Sequence, residues 1–333
     1  MNDVARRNLR SRILEEWQRG LPLTERPFAV MAESLGVSES DVIACLRELQ
    51  EGGVICRVGA VVRPNTLGAS TLGAVKAPQS KIVPVAEIIA AEPGINHVYS
   101  RENDWNLWFV VTGPDRSYVC ETLQRVERCS GLHVLDLRLE RAFHIDLGFS
   151  LSEPAFLRTR KSRDWNDTEF RPTASDRELV HALTQGLPLV TRPFEEVAHR
   201  LGRDEEDIIA RVSTLATDGL LPRIGVIVRH RALGWRSNAM AVWDVPAGDV
   251  ERAGLKLAEA PGVNLCYLRT HHADDWPYNL YCMVHAKSRG EALSLLECAE
   301  AAAGLAGHRR EVLFSLRCFK QTGAMLALPR EAA

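Results

Sequence analysis

Nothing in the sequence approaches the roughly 18 consecutive apolar residues of a membrane-spanning helix. The N-terminal MNDVARRNLRSRILEEW lacks an uninterrupted apolar centre, so it does not read as a signal peptide. An excess of charge is missing too. The 333 residues carry 41 basic and 43 acidic side chains, a formal balance of −2. That excludes a protein that coats nucleic acid non-specifically, but leaves room for a local basic pocket. None of the eight cysteines (Cys45, Cys56, Cys120, Cys129, Cys266, Cys282, Cys298, Cys318) belongs to a C-x-x-C pair. The expectation is reduced, buried thiols in a cytoplasmic protein. What is present is ordinary. With 46% hydrophobic and 25% charged residues, the chain can build more than one core.

A duplication organises the chain. LPLTERPFAVMAESLGVSESDVIACLRELQEGGVICRVGAVVRPNTLG, Leu21 to Gly68, aligns without a gap with Leu187 to Gly234 at an offset of 166, and 21 of 48 positions are identical. The likeness continues more weakly, with PGINHVYSR (93–101) matching PGVNLCYLR (261–269) and RAFH (141–144) matching RCFK (317–320). Between the copies, residues 151–174 are charged, contain prolines and show no sustained period, which predicts a linker.

Each copy divides again. Three helices are predicted first. Pro27 sits early in the second, Gly36 ends it, and Ser38 with Asp41 begins the third. A short strand pair over Ile55–Val62 then makes a winged helix. The remainder reads β-α-β-β-α-β, the ferredoxin-like order, with helices on one face of an antiparallel sheet. The expected domains are 1–65 and 66–150, then 175–232 and 233–330. The fold class is therefore α+β, a tandem winged helix-turn-helix plus ferredoxin-like domain. The two sheets are expected to face each other as an intramolecular pseudo-dimer.

A winged helix followed by a ferredoxin-like domain resembles the Lrp/AsnC transcription regulators. The third helix should then read DNA. In both copies that helix is acidic: Glu39, Asp41 and Glu48 against Arg47, and Asp204, Glu205, Glu206 and Asp207 against Arg203 and Arg211. Acidic side chains against phosphates reverse the dominant electrostatic attraction, so DNA is not the expected partner.

Several residues could carry chemistry. Arg57 and Arg63, and their repeat mates Arg223 and Arg229, are six apart, so both members of each pair can point to one face of an extended wing and grip carboxylates. A solvated wing surface is the plainer reading. Alternate residues His97, Tyr99 and Arg101 share a sheet face, as do Leu265, Tyr267 and Arg269. A tyrosine packed between sheets with its hydroxyl held by arginine would look the same.

The segment THHADDWPYNLYCMVH (270–285) raises the sharpest question. Arg101 to Asn106 spans five steps, whereas Arg269 to Asn279 spans ten. The second copy has gained five residues in this loop, with His271 and His272. The loop could close over a site, its histidines carrying protons and Trp276 and Tyr278 offering flat faces to a planar ligand. His285 ends the next strand, and His230 directly follows Arg229. A zinc site from His271, His272, His285 and Asp274 or Asp275 matches no familiar spacing. A polar surface loop without chemistry also stands.

Together the motifs R-x-G-[AV]-[VI]-V-R-[PH]-x-x-L-G, D-V-P, D-W-P-Y-N-L and R-x-F-[HK] resemble the siroheme decarboxylases. The first half resembles NirD and the second NirL, with AhbA and AhbB as related forms. The likeness spans nearly the whole chain outside the linker. It implies removal of CO₂ from two acetate side chains of siroheme, at C12 and C18, giving 12,18-didecarboxysiroheme on the route to haem d1, with no separate cofactor and no metal of its own. A tetrapyrrole sensor or haem-responsive regulator is the alternative. On this reading His230, His271, His272, Tyr267, Tyr278, His97 and Tyr99 are the candidate catalytic residues. Arg57, Arg63, Arg101, Arg223, Arg229, Arg269, Trp276, His285 and His144 would bind substrate, and one of His230, His271 and His272 could ligate its iron. Pro64 replaces His230 and Leu265 replaces His97 in the other copy, so one productive pocket dominated by the second half is expected. NirG- or NirH-type subunits and a homodimer remain open as partners.

Overall fold

The computed structural model describes residues 3–145, 148 and 172–327. The first half runs α1 (Asp3–Glu16), α2 (Pro27–Leu35), α3 (Glu39–Glu51), β1 (Ile55–Val61), β2 (Ala69–Val75), α4 (Ile82–Ala91), β3 (Ile95–Arg101), β4 (Leu107–Gly113), α5 (Arg116–Ser130) and β5 (Val134–Ile145). The second runs α6 (Ala174–Gln185), α7 (Pro193–Leu201), α8 (Glu205–Thr217), β6 (Arg223–Val228), β7 (Ser237–Trp243), α9 (Val250–Glu259), β8 (Val263–Arg269), β9 (Leu280–Ala286), α10 (Arg289–Ala303) and β10 (Arg310–Gln321). Thr173 and Asp176 form a capping box on α6, so the last residue assigned to the linker already starts this helix. Residues 151–171 of that expectation lie outside the described residues.

The helix signals act as their chemistry requires. Ser38 and Asp41 cap each other's backbone at the start of α3. Gly36 ends α2 in the left-handed conformation, φ 71°. The acidic first turns of α3 and α8 have a structural use. Arg26, beside the start of α2, pairs with Glu39, and Arg192, beside the start of α7, pairs with Glu205. Each carboxylate ties two helices together while lying at a helix N-terminus, where negative charge is favoured.

The predicted wing is wrong in one respect. Neither half forms its own strand pair. β1 pairs antiparallel with β6 of the other half, with Gly59 opposite Gly225. Backbone from the other elements crowds both glycines. A Cβ on Gly59 would sit 2.4 Å from the Leu183 carbonyl oxygen, and one on Gly225 would sit 2.6 Å from that of Trp17. The R-x-G motif is thus partly a packing motif. The helices and this sheet share one core, including Phe28, Leu46, Phe194, Val212, Val58 and Val226.

The two ferredoxin-like units face each other and go further: they close into one eight-stranded barrel, β10-β3-β4-β2-β5-β8-β9-β7. The closure depends on two long strands. β5 pairs with β2 over residues 134–138, then with β8 of the other half over 139–145. β10 does the converse, pairing with β7 over 310–314 and with β3 over 315–321. Inside lies a core drawn from both halves, with Trp105, Trp108, Leu137, Trp276, Tyr281 and Leu313 among its members. Helices α4 and α5 cover one outer face, and α9 and α10 the other.

Candidate active site

The crossing of β10 onto β3 gathers several of the polar residues singled out from the sequence. Cys318 lies opposite Tyr99, Ser315 opposite Arg101 and Gln321 opposite His97. On β3, the rings of His97 and Tyr99 stack with centroids 6.3 Å apart, and the Arg101 guanidinium lies 5.9 Å from the Tyr99 ring. Arg101 is buried, at 5% exposure, and donates from Nη1 to the Leu313 carbonyl at 3.0 Å. A longer contact of 3.4 Å reaches Asn238 Oδ1.

The second half supplies the other wall. Asn238 at the start of β7 lies opposite His285 at the end of β9, and their side chains meet at 2.8 Å. The His285 ring is 5.4 Å from that of His230. His230 opens a short 3₁₀ turn, His230–Leu233, that follows β6. Arg231 on the same turn donates to the carbonyls of Ser315 and Leu316, at 3.3 and 3.2 Å. Arg229 and Arg231 are exposed. A continuous line therefore runs from Arg57 through His97, Tyr99, Arg101, Asn238 and His285 to His230. The cluster is composite, and not dominated by the second half as expected, because β3 of the first half supplies His97, Tyr99 and Arg101.

Burial sets the protonation states. Burial first, and the charge of Arg57 second, push His97 down to about 4, so its imidazole is neutral at pH 7. Its buried Nδ1 has no hydrogen-bond partner among the described residues. The Tyr99 hydroxyl is raised by burial and stays protonated. Arg101 is pushed down to about 10, chiefly by burial, and remains a cation at neutral pH. No carboxylate is paired with it among the described residues. A buried cation held by carbonyl and amide oxygens favours an incoming anion.

A weaker image of this arrangement sits at the other crossing. Arg269 lies 5.1 Å over the Tyr267 ring and donates from Nη1 to the Leu137 carbonyl, again at 3.0 Å. Burial lowers Arg269 and raises Tyr267. Leu265 and Pro64 stand where the first crossing has His97 and His230, and Thr112, paired with Ser70, occupies the strand position of His285. His144 is buried at this second crossing, opposite Cys266. It therefore lies apart from the cluster of His97, Tyr99 and Arg101, which sits at the other crossing.

Other expectations fail for physical reasons. Trp276 and Tyr278 do not present flat faces to a ligand. They are 2% and 3% exposed, fill the barrel interior and meet edge to face with ring centroids 4.8 Å apart. The Trp276 Nε1–H donates to the Tyr281 hydroxyl at 2.7 Å. The loop bends back on itself through the His272–Trp276 bridge. His271 is exposed, and His272 is half-buried against the Asp136 carbonyl, 3.4 Å away. The loop leads into Leu280, whereas His285 ends the same strand. Five strand steps of about 3.3 Å separate those positions by roughly 17 Å. His271 and His272 therefore do not share a pocket with His230.

The arginine pairs do not share a face either. Arg63 lies beyond the end of β1, whose pairing is bulged between Ile55 and Arg57. Arg229 follows β6 and is exposed, while Arg223 is buried beside Gly148 and Arg19. Arg57 donates to the Ala60 carbonyl at 3.3 Å, and its buried Nε has no partner among the described residues. Of the thiols, only Cys45, Cys266 and Cys282 are buried. Cys56 and Cys120 are half-buried, and Cys129, Cys298 and Cys318 are exposed.

The sequence reading missed Asn238, Ser315 and Arg231. Asn238 could have been found, since it is a polar residue in the inward register of the otherwise apolar strand SNAMAVW.

An AsnC-like ligand binding domain matches residues 66–144 and 232–320, and a siroheme decarboxylase NirDL-like HTH domain matches residues 10–55 and 176–221. The siroheme decarboxylase NirDL subunit of Paracoccus pantotrophus is 50% identical over 95% of this chain and 96% of its own. The siroheme decarboxylase of Hydrogenobacter thermophilus is 34% identical over 93% of this chain and 92% of its own. A crystal structure of the siroheme decarboxylase NirDL in co-complex with an iron-uroporphyrin III analogue overlays with a TM-score of 0.64 at 28% identity, covering 97% of this chain and 95% of that one. With half its residues matched across both repeats and nearly its full length aligned, the chain belongs to the siroheme decarboxylase NirDL family.

Proposed function

We propose that this chain removes CO₂ from the C12 and C18 acetates of siroheme at the composite site between β3, β10 and the turn at His230. The observation that carries this reading is Arg101, a buried cation with no carboxylate partner among the described residues, set in one line with three histidines. Siroheme is a flat polycarboxylate. Arg101, Arg57 and the exposed Arg229 and Arg231 seat carboxylates that stay. Each charge-assisted hydrogen bond contributes about 1.5–3 kcal/mol, so a few suffice to fix orientation.

The reaction breaks one C–C bond per acetate. CO₂ leaves, the electron pair left on the methylene carbon spreads into the conjugated macrocycle, and one proton completes the methyl group. The reaction is redox-neutral and consumes one proton per carbon. Holding the reacting acetate away from water favours loss of its charge as CO₂. His97 is neutral at pH 7 and poorly placed to store a proton. His285 has both ring nitrogens engaged. His230, next in the chain to the exposed Arg229 and Arg231, is therefore our proton donor. Tyr99 stays protonated and orients.

The test is anaerobic incubation of the purified single chain with siroheme, followed by mass spectrometry. The product should be lighter by two CO₂. A sensor would return the ligand unchanged. Turnover without added subunits would also establish that no NirG- or NirH-type partner is required.

A further inference from the structure

We propose that Asn238 is a positioning residue for this reaction: its amide locks His285 into one neutral tautomer and ties the Arg101 guanidinium to the His285–His230 pair. The proposal rests on the decarboxylase reading of this site, but its geometric half can be tested without turnover.

Donors and acceptors around Asn238 can be paired in one way. Asn238 Oδ1 accepts from Arg101 Nη1 at 3.4 Å and from Ser315 Oγ at 3.3 Å. A guanidinium can only donate, so the oxygen must face it, and the amide nitrogen faces His285. Nδ2 can only donate, so His285 Nε2, 2.8 Å away, must accept and carries no hydrogen. The ring proton is then on Nδ1, which points at Asn264 Oδ1 at 3.1 Å. That oxygen also accepts the His285 backbone N–H at 3.1 Å. Turning either amide over would set donors against donors, so the network admits one assignment.

Two consequences follow. A second proton on His285 would have to displace the Asn238 bond, which holds His285 neutral and removes it as a proton source. The His285 ring, fixed at both nitrogens, becomes a rigid support 5.4 Å from His230. A carboxylate seated on Arg101 and the ring that delivers the proton are thereby held in fixed relation through one side chain.

The second repeat argues that this network serves the site and not the fold. At the other crossing the corresponding strand pair is Ser70 with Thr112, and Pro64 replaces His230. The barrel closes there without any such chain.

Three measurements test the proposal. Nitrogen-15 NMR of histidine-labelled protein, with His285→Gln used to assign the resonance, should show His285 protonated on Nδ1 alone at pH 7; an Nε2–H signal overturns it. Asn238→Leu, similar in shape but unable to bond, should lower kcat for CO₂ release about 100-fold, the cost of a misplacement near 1 Å, and change KM less than kcat. Asn238→Asp retains the acceptor for Arg101 but offers His285 a carboxylate, which favours its protonated form. The acid limb of its kcat profile should move to higher pH, and a merely structural asparagine would not produce that. A folded Asn238→Leu with full turnover, or an unshifted profile in Asn238→Asp, overturns the proposal. If the NMR result stands while the wild-type chain fails to convert siroheme, the function assigned above has failed and the tautomer lock has not.

Discussion

Arg101 reaches out of its own half to donate to the Leu313 carbonyl at 3.0 Å, and its repeat mate Arg269 does the same to Leu137 at the same distance. Each guanidinium is anchored on the strand that the other half contributes, so the anion seat exists only when both halves are assembled.

Arg101→Ala should weaken the seat with little change in fold. Losing one charge-assisted bond of about 1.5–3 kcal/mol predicts roughly a ten- to hundredfold rise in KM for siroheme. Arg101→Lys should recover only part of it, because an ammonium cannot span a carboxylate as a guanidinium does. Absorbance titration with iron-uroporphyrin III reads the same loss without turnover. Unchanged affinity in Arg101→Ala would remove the central support for the site.

His230 and the loop histidines should separate cleanly. His230→Ala is expected to lower kcat by about 10²–10⁴-fold, the usual contribution of a positioned acid. His271→Ala and His272→Ala should stay within about threefold, since their loop lies at the other end of β9. If either loop variant loses activity as His230→Ala does, the proton source has been misassigned.

Trp276→Ala should be a stability variant. Its indole fills the barrel interior and packs 5.1 Å from Trp108. Removing it should cost roughly 3–5 kcal/mol, seen as a lower denaturation midpoint in urea. A stable Trp276→Ala protein with a specific loss of ligand binding would return this residue to the ligand.

His97 gives stability a defined pH dependence. The folded chain protonates this imidazole only near pH 4, whereas an ordinary histidine does so near 6.5. Between those values the unfolded chain binds more protons, so stability falls as the pH drops from 6.5 toward 4. In His97→Gln that slope should flatten. Urea titrations across this window check it, and parallel curves for the two proteins would mean His97 is not buried as described.

Asp176 accepts two hydrogen bonds from Arg211, at 2.6 and 2.8 Å, and caps α6, and the Arg211 bond chiefly holds its carboxyl down to about 2. Asp176→Ala should cost about 2–3 kcal/mol, below the range for a fully buried pair because Arg211 is partly solvated. Thermal melts at neutral pH measure it.

Much of this was legible in the residues. Gly36 placed the end of α2, and Ser38 with Asp41 placed the start of α3, as observed. The exchange of strands was not deduced, though its trace was present: the segment His133–His144 reads as twelve residues of strand beside neighbours of seven. A strand that long must find a second partner, and local sequence does not say which. The arginine pairs failed because a six-residue spacing predicts a shared face only in an unbroken strand, and β1 ends at Val61 before Arg63, as β6 ends at Val228 before Arg229. The loop aromatics failed because a large ring suits a barrel interior as well as a ligand. His230, His285 and Arg101 were each visible, but what joins them, Asn238, acts through pairings that sequence spacing does not report.

The shared strands β5 and β10 set a limit on what the covalent join between the repeats accomplishes. A polypeptide divided between residues 145 and 172 would keep every strand pairing of the barrel and both arginine anchors. Either piece by itself would present half of β5 or β10 without its cross-repeat partner and one naked inner sheet face, an invitation to aggregate. Tethering therefore acts as a concentration device that keeps two mutually dependent pieces together at any dilution, and co-expressed separate pieces should reconstitute the same catalyst while either alone stays insoluble.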